Sequence, residues 1–185
     1  MANKQALRDL QSRLAQRLLA ARTDSPGTSW LAVEAGGHGF LLPLKEAGEI
    51  FSLTPVLPVP HCQDWFLGVA NLRGHLHGVV DLARFLGLPA APAAPATGRV
   101  AAQLVGFNAG LELNCVLRVE RLAGLRSDAQ LSPLNPLNPL SDAEAPETTR
   151  PAFAGGRLRD ASGRVWQELK LAALATDDAF LSIAA

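Results

Sequence analysis

The chain has 185 residues, with 17 Lys and Arg against 17 Asp and Glu, 48% hydrophobic residues, 16 Gly and 13 Pro. That length holds one domain or two small linked lobes and excludes a large multidomain enzyme, and the hydrophobic share excludes wholesale disorder. A net charge of zero gives no general attraction to phosphate backbones or anionic lipid, so nucleic acid is not an expected partner.

Leu7, Leu10, Leu14 and Leu18 recur at helical spacing and predict an amphipathic helix over residues 4–21. Its polar side carries Lys4, Arg8, Arg13 and Arg17 against Asp9. A basic helix can touch membrane, yet this stripe is narrow and has no Trp or Phe anchors, which favours packing on this domain or on a partner. Ser25, Pro26 and Gly27 end it, setting residues 1–27 apart as helix and linker from a globular part at 28–185. The start lacks the continuous apolar core of a signal peptide, and no stretch approaches the roughly 18 apolar residues of a membrane span. A cytoplasmic protein without membrane insertion is expected.

Short extended segments follow, at residues 30–35 and 40–44 around a Gly36, Gly37, His38, Gly39 turn. Pro55, Pro58 and Pro60 then impose an extended, edge-like path. Residues 65–82 read as two strands about a turn at Arg73 and Gly74, and 81–86 as one helical turn, with Asp81 as its cap. The run PAAPAAPA at 89–96 is a stiff polyproline-like spacer dividing the chain near its middle.

Beyond the spacer, residues 99–107 and 111–119 read as strands about an Asn108, Ala109, Gly110 turn. In the second, Leu111, Leu113, Cys115, Leu117 and Val119 share one face, and only Val116 breaks the polar face opposite. Cys115 is thus a core thiol. Residues 126–151 read as a proline-rich insert, a long loop that cannot pair as a regular ladder. A strand over 165–171 follows, then Thr176, Asp177 and Asp178 as cap candidates for a short terminal turn with Phe180 and Leu181. Many short strands bounded by Gly and Pro favour small barrels over a parallel sheet.

Little in this text is catalytic. No phosphate-cradling glycine loop or dinucleotide fingerprint is present, and no serine sits in a nucleophile elbow. His75 and His77 share a strand face, with His61 and Cys62 upstream, but a zinc site needs further ligands at a spacing that is absent. Neighbours His61 and Cys62 point to opposite faces of an extended chain, and nothing pairs Asp64 with Asp81 as acid and base. No metal or cofactor is expected. Arg73, by contrast, places a five-donor guanidinium at a hairpin tip. It either braces the two lobes internally or is an exposed recognition residue.

The run Trp65-Phe66-Leu67-Gly68-Val69-Ala70-Asn71-Leu72-Arg73-Gly74, followed by Val79-Val80-Asp81-Leu82, resembles the signature of the CheW-like chemotaxis coupling domain, and the order of strands extends the likeness over residues 28–182. Gly78 stands where that signature has proline, a change expected to loosen the second strand of the hairpin. The likeness is greatest to the branch that serves type IV pili and twitching motility. It implies a mainly β fold of two intertwined five-stranded SH3-like barrels, here with an added N-terminal helix and a short C-terminal helix, and no catalytic activity. It also implies an adaptor between the cytoplasmic tip of a methyl-accepting chemoreceptor and the regulatory domain of a CheA-type histidine kinase, in a membrane-associated array. Carried onto this sequence, the partner-binding positions are Val69, Asn71, Leu72, Arg73 and Gly74, while Gly68, Asp81 and Leu82 fix the hairpin. Core packing is the alternative for Val69 and Leu72. Competing readings are a receptor-organising scaffold without kinase contact and a small metal or thiol enzyme built on His61, Cys62, His75 or His77.

Overall fold

Apolar residues fill both faces of the strands that begin the structure, a computed structural model that describes residues 28–89, 102–134 and 150–185. In β1 (Ser29–Ala35) every residue from Trp30 to Val33 is buried, and β2 (His38–Pro43) buries Phe40, Leu41 and Leu42. A strand buried on both faces must lie inside a sheet and between two apolar layers. The chain continues as β3 (Ala47–Ser52), β4 (Phe66–Leu72), β5 (His75–Asp81) and the single turn α1 (Leu82–Phe85). Then come β6 (Gln103–Phe107), β7 (Cys115–Val119), β8 (Arg121–Ser127) and β9 (Leu131–Pro133). The last elements are β10 (Ala154–Asp160), β11 (Val165–Leu169) and two further turns, α2 (Leu171–Leu174) and α3 (Asp178–Leu181).

The strands make a six-stranded sheet in the order β8-β1-β2-β11-β10-β9 and a five-stranded sheet in the order β3-β6-β7-β5-β4. Both are antiparallel except at β2 with β11 and β5 with β7. The first sheet therefore joins the start of the chain to its end, and the second is inserted between them. Leu31, Val33, Phe40, Leu42, Val80, Leu82, Val105, Leu117 and Leu169 belong to the shared layer between the sheets. On its other face each sheet closes over a smaller core. Trp30, Ala32, Leu41, Leu131 and Trp166 fill one, and Ala70, Leu72, Val79, Leu104 and Val116 fill the other.

Two closed five-stranded barrels are not what forms. One sheet has six strands, and neither ladder closes, because β8 and β9 remain as edges of one and β3 and β4 as edges of the other. The proline-rich segment reaches β4 at one bridge, Leu57 to Val69. Pro55, Pro58 and Pro60 around it have no N–H with which to extend that ladder. The 89–96 spacer does not divide one sheet from the other, since its flanking strands β5 and β6 lie in the same sheet. Its residues from 90 onward, the N-terminal helix and residues 135–149 of the insert lie outside the described residues.

Other expectations change in detail. Residues 111–114 are not strand: a 3-10 turn spans Ala109–Leu111 and Glu112 takes positive φ, so β7 starts only at Cys115. The supposed insert begins as ordered sheet, with β8 running to Ser127 and Leu131–Pro133 pairing with β10. Pro133 is tolerated because β9 is an edge. The C-terminal turn forms as its cap predicts, with the Asp177 carboxylate accepting from Phe180 N at 3.0 Å. Asp160 does similar work at the β10–β11 turn. It accepts from Ser162 Oγ, from Trp166 Nε1 and from the Ser162 and Arg164 amides, and these bonds hold its pKa down at about 2.

Asp81, with 5% of its surface exposed, is the one buried polar or charged residue of the described core. Its carboxylate accepts from Arg84 N at 3.1 Å and from Arg118 Nη1 at 2.6 Å, and its amide donates to the Trp65 carbonyl at 2.8 Å. It thus caps α1, ties β5 to β7 and anchors the chain entering β4. Asp81→Ala is expected to cost about 2–4 kcal/mol, by loss of the cap and by leaving Arg118 unpaired. Urea unfolding should show a lower midpoint at unchanged slope.

Candidate functional hairpin

The β4–β5 hairpin leaves the shared core at its base and ends in solvent at its tip. Register pairs Ala70 with His77 and Leu72 with His75, so these side chains share one face of the sheet. On that face Ala70 and Leu72 are buried with Val79 in the inner core. Leu72 is 2% exposed in that core, the burial that the core-packing alternative for this position expects. Val69 and Asn71 take the other face, opposite Gly78 and Leu76. Towards the base this face meets the first, six-stranded sheet, where Phe66 and Val80 pack in the shared core. Towards the tip its cover ends, leaving Leu76 62% exposed.

A proline-rich strap borders this surface. Leu57 exchanges two backbone hydrogen bonds with Val69, at 2.7 and 2.9 Å, which puts its 70% exposed side chain beside Val69. The strap passes so close to β4 that a Cβ at Gly68 would run into the Leu57 carbonyl oxygen, and Gly68 has φ +126°. Only glycine meets both conditions. Further along, Gln63 N donates to Ile183 O at 2.9 Å and Ala185 N to His61 O at 3.1 Å, so the C-terminal residues hold the far end of the strap.

The tip is a two-residue turn with Arg73 at φ +51° and Gly74 at +88°, the twist that a tight hairpin requires. Asn71 Oδ1 accepts from Gly74 N at 2.9 Å and fixes it. The Arg73 side chain is 74% exposed and pairs with Glu49 at 2.5 Å. Glu49 lies on β3, the opposite edge of the same sheet, so the pair spans the open side of this sheet and does not brace one sheet on the other. Gly78 does not slacken the strand. Its N–H donates to Asn114 O at 2.9 Å, a bond proline could not make, and the Phe66 ring lies against it.

Among the expected site residues, the structure brings Val69, Asn71, Arg73 and Gly74 to the exposed end, and Gly68, Asp81 and Leu82 to the support. Glu49, Leu57 and Leu76 complete the surface and were not singled out by the sequence. For Leu76 the signal was an apolar residue between two histidines at the tip. Glu49 carried no signal, since its closeness depends on the curl of the sheet. His77 Nδ1 lies 3.1 Å from the His75 carbonyl, and Cys62 Sγ lies 3.6 Å from the Pro60 carbonyl. Among the described residues no group of three or more His, Cys, Asp or Glu is placed to hold a metal ion. Among them, too, no helix is long and apolar enough to cross a membrane.

Comparison with known proteins places these features. Residues 29–179 match the family described as CheW-like domain. Protein PilI of Pseudomonas aeruginosa is 30% identical over 122 residues, 66% of this chain and 68% of that protein. Chemotaxis protein CheW of Rhizobium meliloti is 37% identical over 65 residues, 35% of this chain and 42% of that protein. The fold is similar to that of the scaffolding protein TtCheW from Thermoanaerobacter tengcongensis, with TM-score 0.57 at 14% identity, over 78% of this chain and 89% of that one.

Two outcomes are expected from this geometry. Gly68→Ala should destabilise by about 2–4 kcal/mol, from strain at positive φ together with the collision with the strap, and calorimetry should show the fall in Tm. Burial pushes the Cys115 thiol up to about 12, whereas Cys62 is only partly buried. At mildly alkaline pH a disulfide reagent should therefore titrate Cys62 in the native chain and Cys115 only after unfolding.

Proposed function

The chain belongs to the CheW-like domain family of signal-transduction adaptors, and we propose that it couples the cytoplasmic tip of a methyl-accepting chemoreceptor to the regulatory domain of a CheA-type histidine kinase. The observation that carries this reading is the hairpin tip. Arg73 is 74% exposed and is presented on a rigid turn beside an apolar strip of Leu57, Val69 and Leu76. A cation that makes paired hydrogen bonds, next to exposed apolar side chains, is the composition of an interface anchor. Asn71 and Gly74 act by fixing the turn, and Leu72 by holding the strand beneath it.

The work of such an adaptor is alignment. Contacts to receptor and kinase on one rigid body let a receptor movement change kinase activity through a coupling free energy. The protein performs no chemistry itself in this reading, and it acts in the cytoplasm at receptor arrays. The extent of the likeness to PilI supports an output on type IV pili and twitching motility.

Binding of the full chain to the regulatory domain of a co-encoded CheA-type kinase tests the proposal. Arg73→Ala is expected to weaken binding by about 2–4 kcal/mol while the Tm stays close to wild type, because an exposed pair with Glu49 adds under about 1 kcal/mol to folding. Wild-type protein that binds the receptor tip but not the kinase would replace the coupling reading with a receptor-organising scaffold. Weakened binding accompanied by a collapsed Tm would assign Arg73 to folding.

A further inference from the structure

A second surface lies away from the hairpin tip. Between the two sheets, beside α3, is an open groove of about 500 Å³ whose lining includes Phe40, Trp65, Phe85, Phe153 and Leu169. Its aromatic rings brace one another. Trp65 and Phe85 meet edge to face at 5.2 Å, and Phe85 and Phe153 lie 5.8 Å apart. The groove is therefore a firm apolar trough. Its floor crosses β2 and β11, which are interior strands paired on both sides. An extended peptide laid there would find no ladder to join and would keep its own backbone groups unpaired, whereas a helix satisfies its own.

The charges beside the trough are uneven. Across the strands Phe40 pairs with Gln167, and Gln167 with Arg157, so Arg157 stands on the groove face next to the lining. One row further out Val165 pairs with Arg159 on the same face, and Val165 is 41% exposed. Arg150 adjoins Pro151, which also lines the groove. All three arginines are exposed, and Arg157 and Arg159 make no side-chain hydrogen bond or ion pair among the described residues. Asp177, the one carboxylate of the lining, is engaged in capping Phe180. The β10 side of the groove is thus a wall of uncommitted cations.

We propose that this groove docks an amphipathic helix of a partner protein whose polar flank is acidic, with Arg157 and Arg159 reading that flank. The occupant is a partner and not this chain's own start, because residues 4–21 carry Lys4, Arg8, Arg13 and Arg17 and would set like charges against β10. This surface goes beyond the hairpin reading and does not depend on it.

The test uses two dye-labelled synthetic helices of about 18 residues, or five turns. Both carry the same leucine stripe, one with a glutamate flank and one with a lysine flank, and both are titrated with the full chain. The glutamate helix is expected to bind at least roughly tenfold more tightly, with a preference that shrinks as salt rises. Arg157→Glu with Arg159→Glu should reverse the order, and Ala179→Arg, which fills the trough from α3, should remove binding of both. Arg157→Gln with Arg159→Gln should abolish the preference and repeats the test if the reversal variant melts early. Equal binding of the two helices, a preference for lysine, no binding at hundreds of micromolar, or indifference to either arginine variant or to Ala179→Arg would each overturn the proposal. Kinase binding by the same variants separates this surface from the hairpin, since loss of helix binding with kinase binding retained removes only the groove.

Discussion

Burial of both faces of the central strands is the constraint on which the rest depends. β1, β2, β5, β6 and β7 each sit between the shared layer and one of the inner cores, so few of their positions tolerate a polar side chain. The exception proves informative, because Asp81 enters this environment only with an amide and a guanidinium aimed at its oxygens. Since β1 pairs with β8 and β2 with β11, the first sheet is closed by contacts that span the whole stretch of chain forming the second. Such long-range pairing makes for cooperative folding at the expense of speed.

The same constraint decides where apolar side chains reach the surface. A strand pair longer than its cover carries apolar side chains out of the core into solvent. This happens at the β4–β5 tip, where the face that buries Val80 continues to Leu76, and at the β10–β11 end, where the face that buries Leu169 continues to Val165. Each extension carries arginine, Arg73 at one and Arg157 with Arg159 at the other. The exposed patches are continuations of the core, carried on strands whose other ends are packed within it.

What could be read in the sequence follows from the same geometry. The β4–β5 hairpin and the α1 cap were legible because their signals are local: a turn dipeptide, an aspartate before a helical turn. Cys115, Leu117 and Val119 showed their face, and Val116, which broke the pattern, did so because the opposite face has a core of its own. β8 and β10 were not legible. In β8 a bulge opposite Ala32 and Val33 shifts the alternation, and β10 carries Gly155 and Gly156 in its first half, where no side chains mark the two faces. Sheet closure was beyond reach as well, since whether β4 meets β3 depends on what the proline strap can donate and not on the strands themselves.

Stability does not account for the residue at the hairpin tip. A non-glycine residue in the left-handed region costs about 1–2 kcal/mol, and asparagine or glycine would fill that position more cheaply. The pair with Glu49 returns less than about 1 kcal/mol, because both side chains are exposed and screened. Arg73 is thus neutral or slightly unfavourable for folding, in a hairpin otherwise optimised down to the hydrogen bond from Gly74 to Asn71. What arginine adds at this point is a planar cation projected from a fixed turn, with one edge steadied by Glu49 and five donors in all. In the proposed coupling role its value would lie outside the fold, in a carboxylate or carbonyl that a partner brings to the tip, with the Glu49 pair holding the guanidinium in place until that exchange.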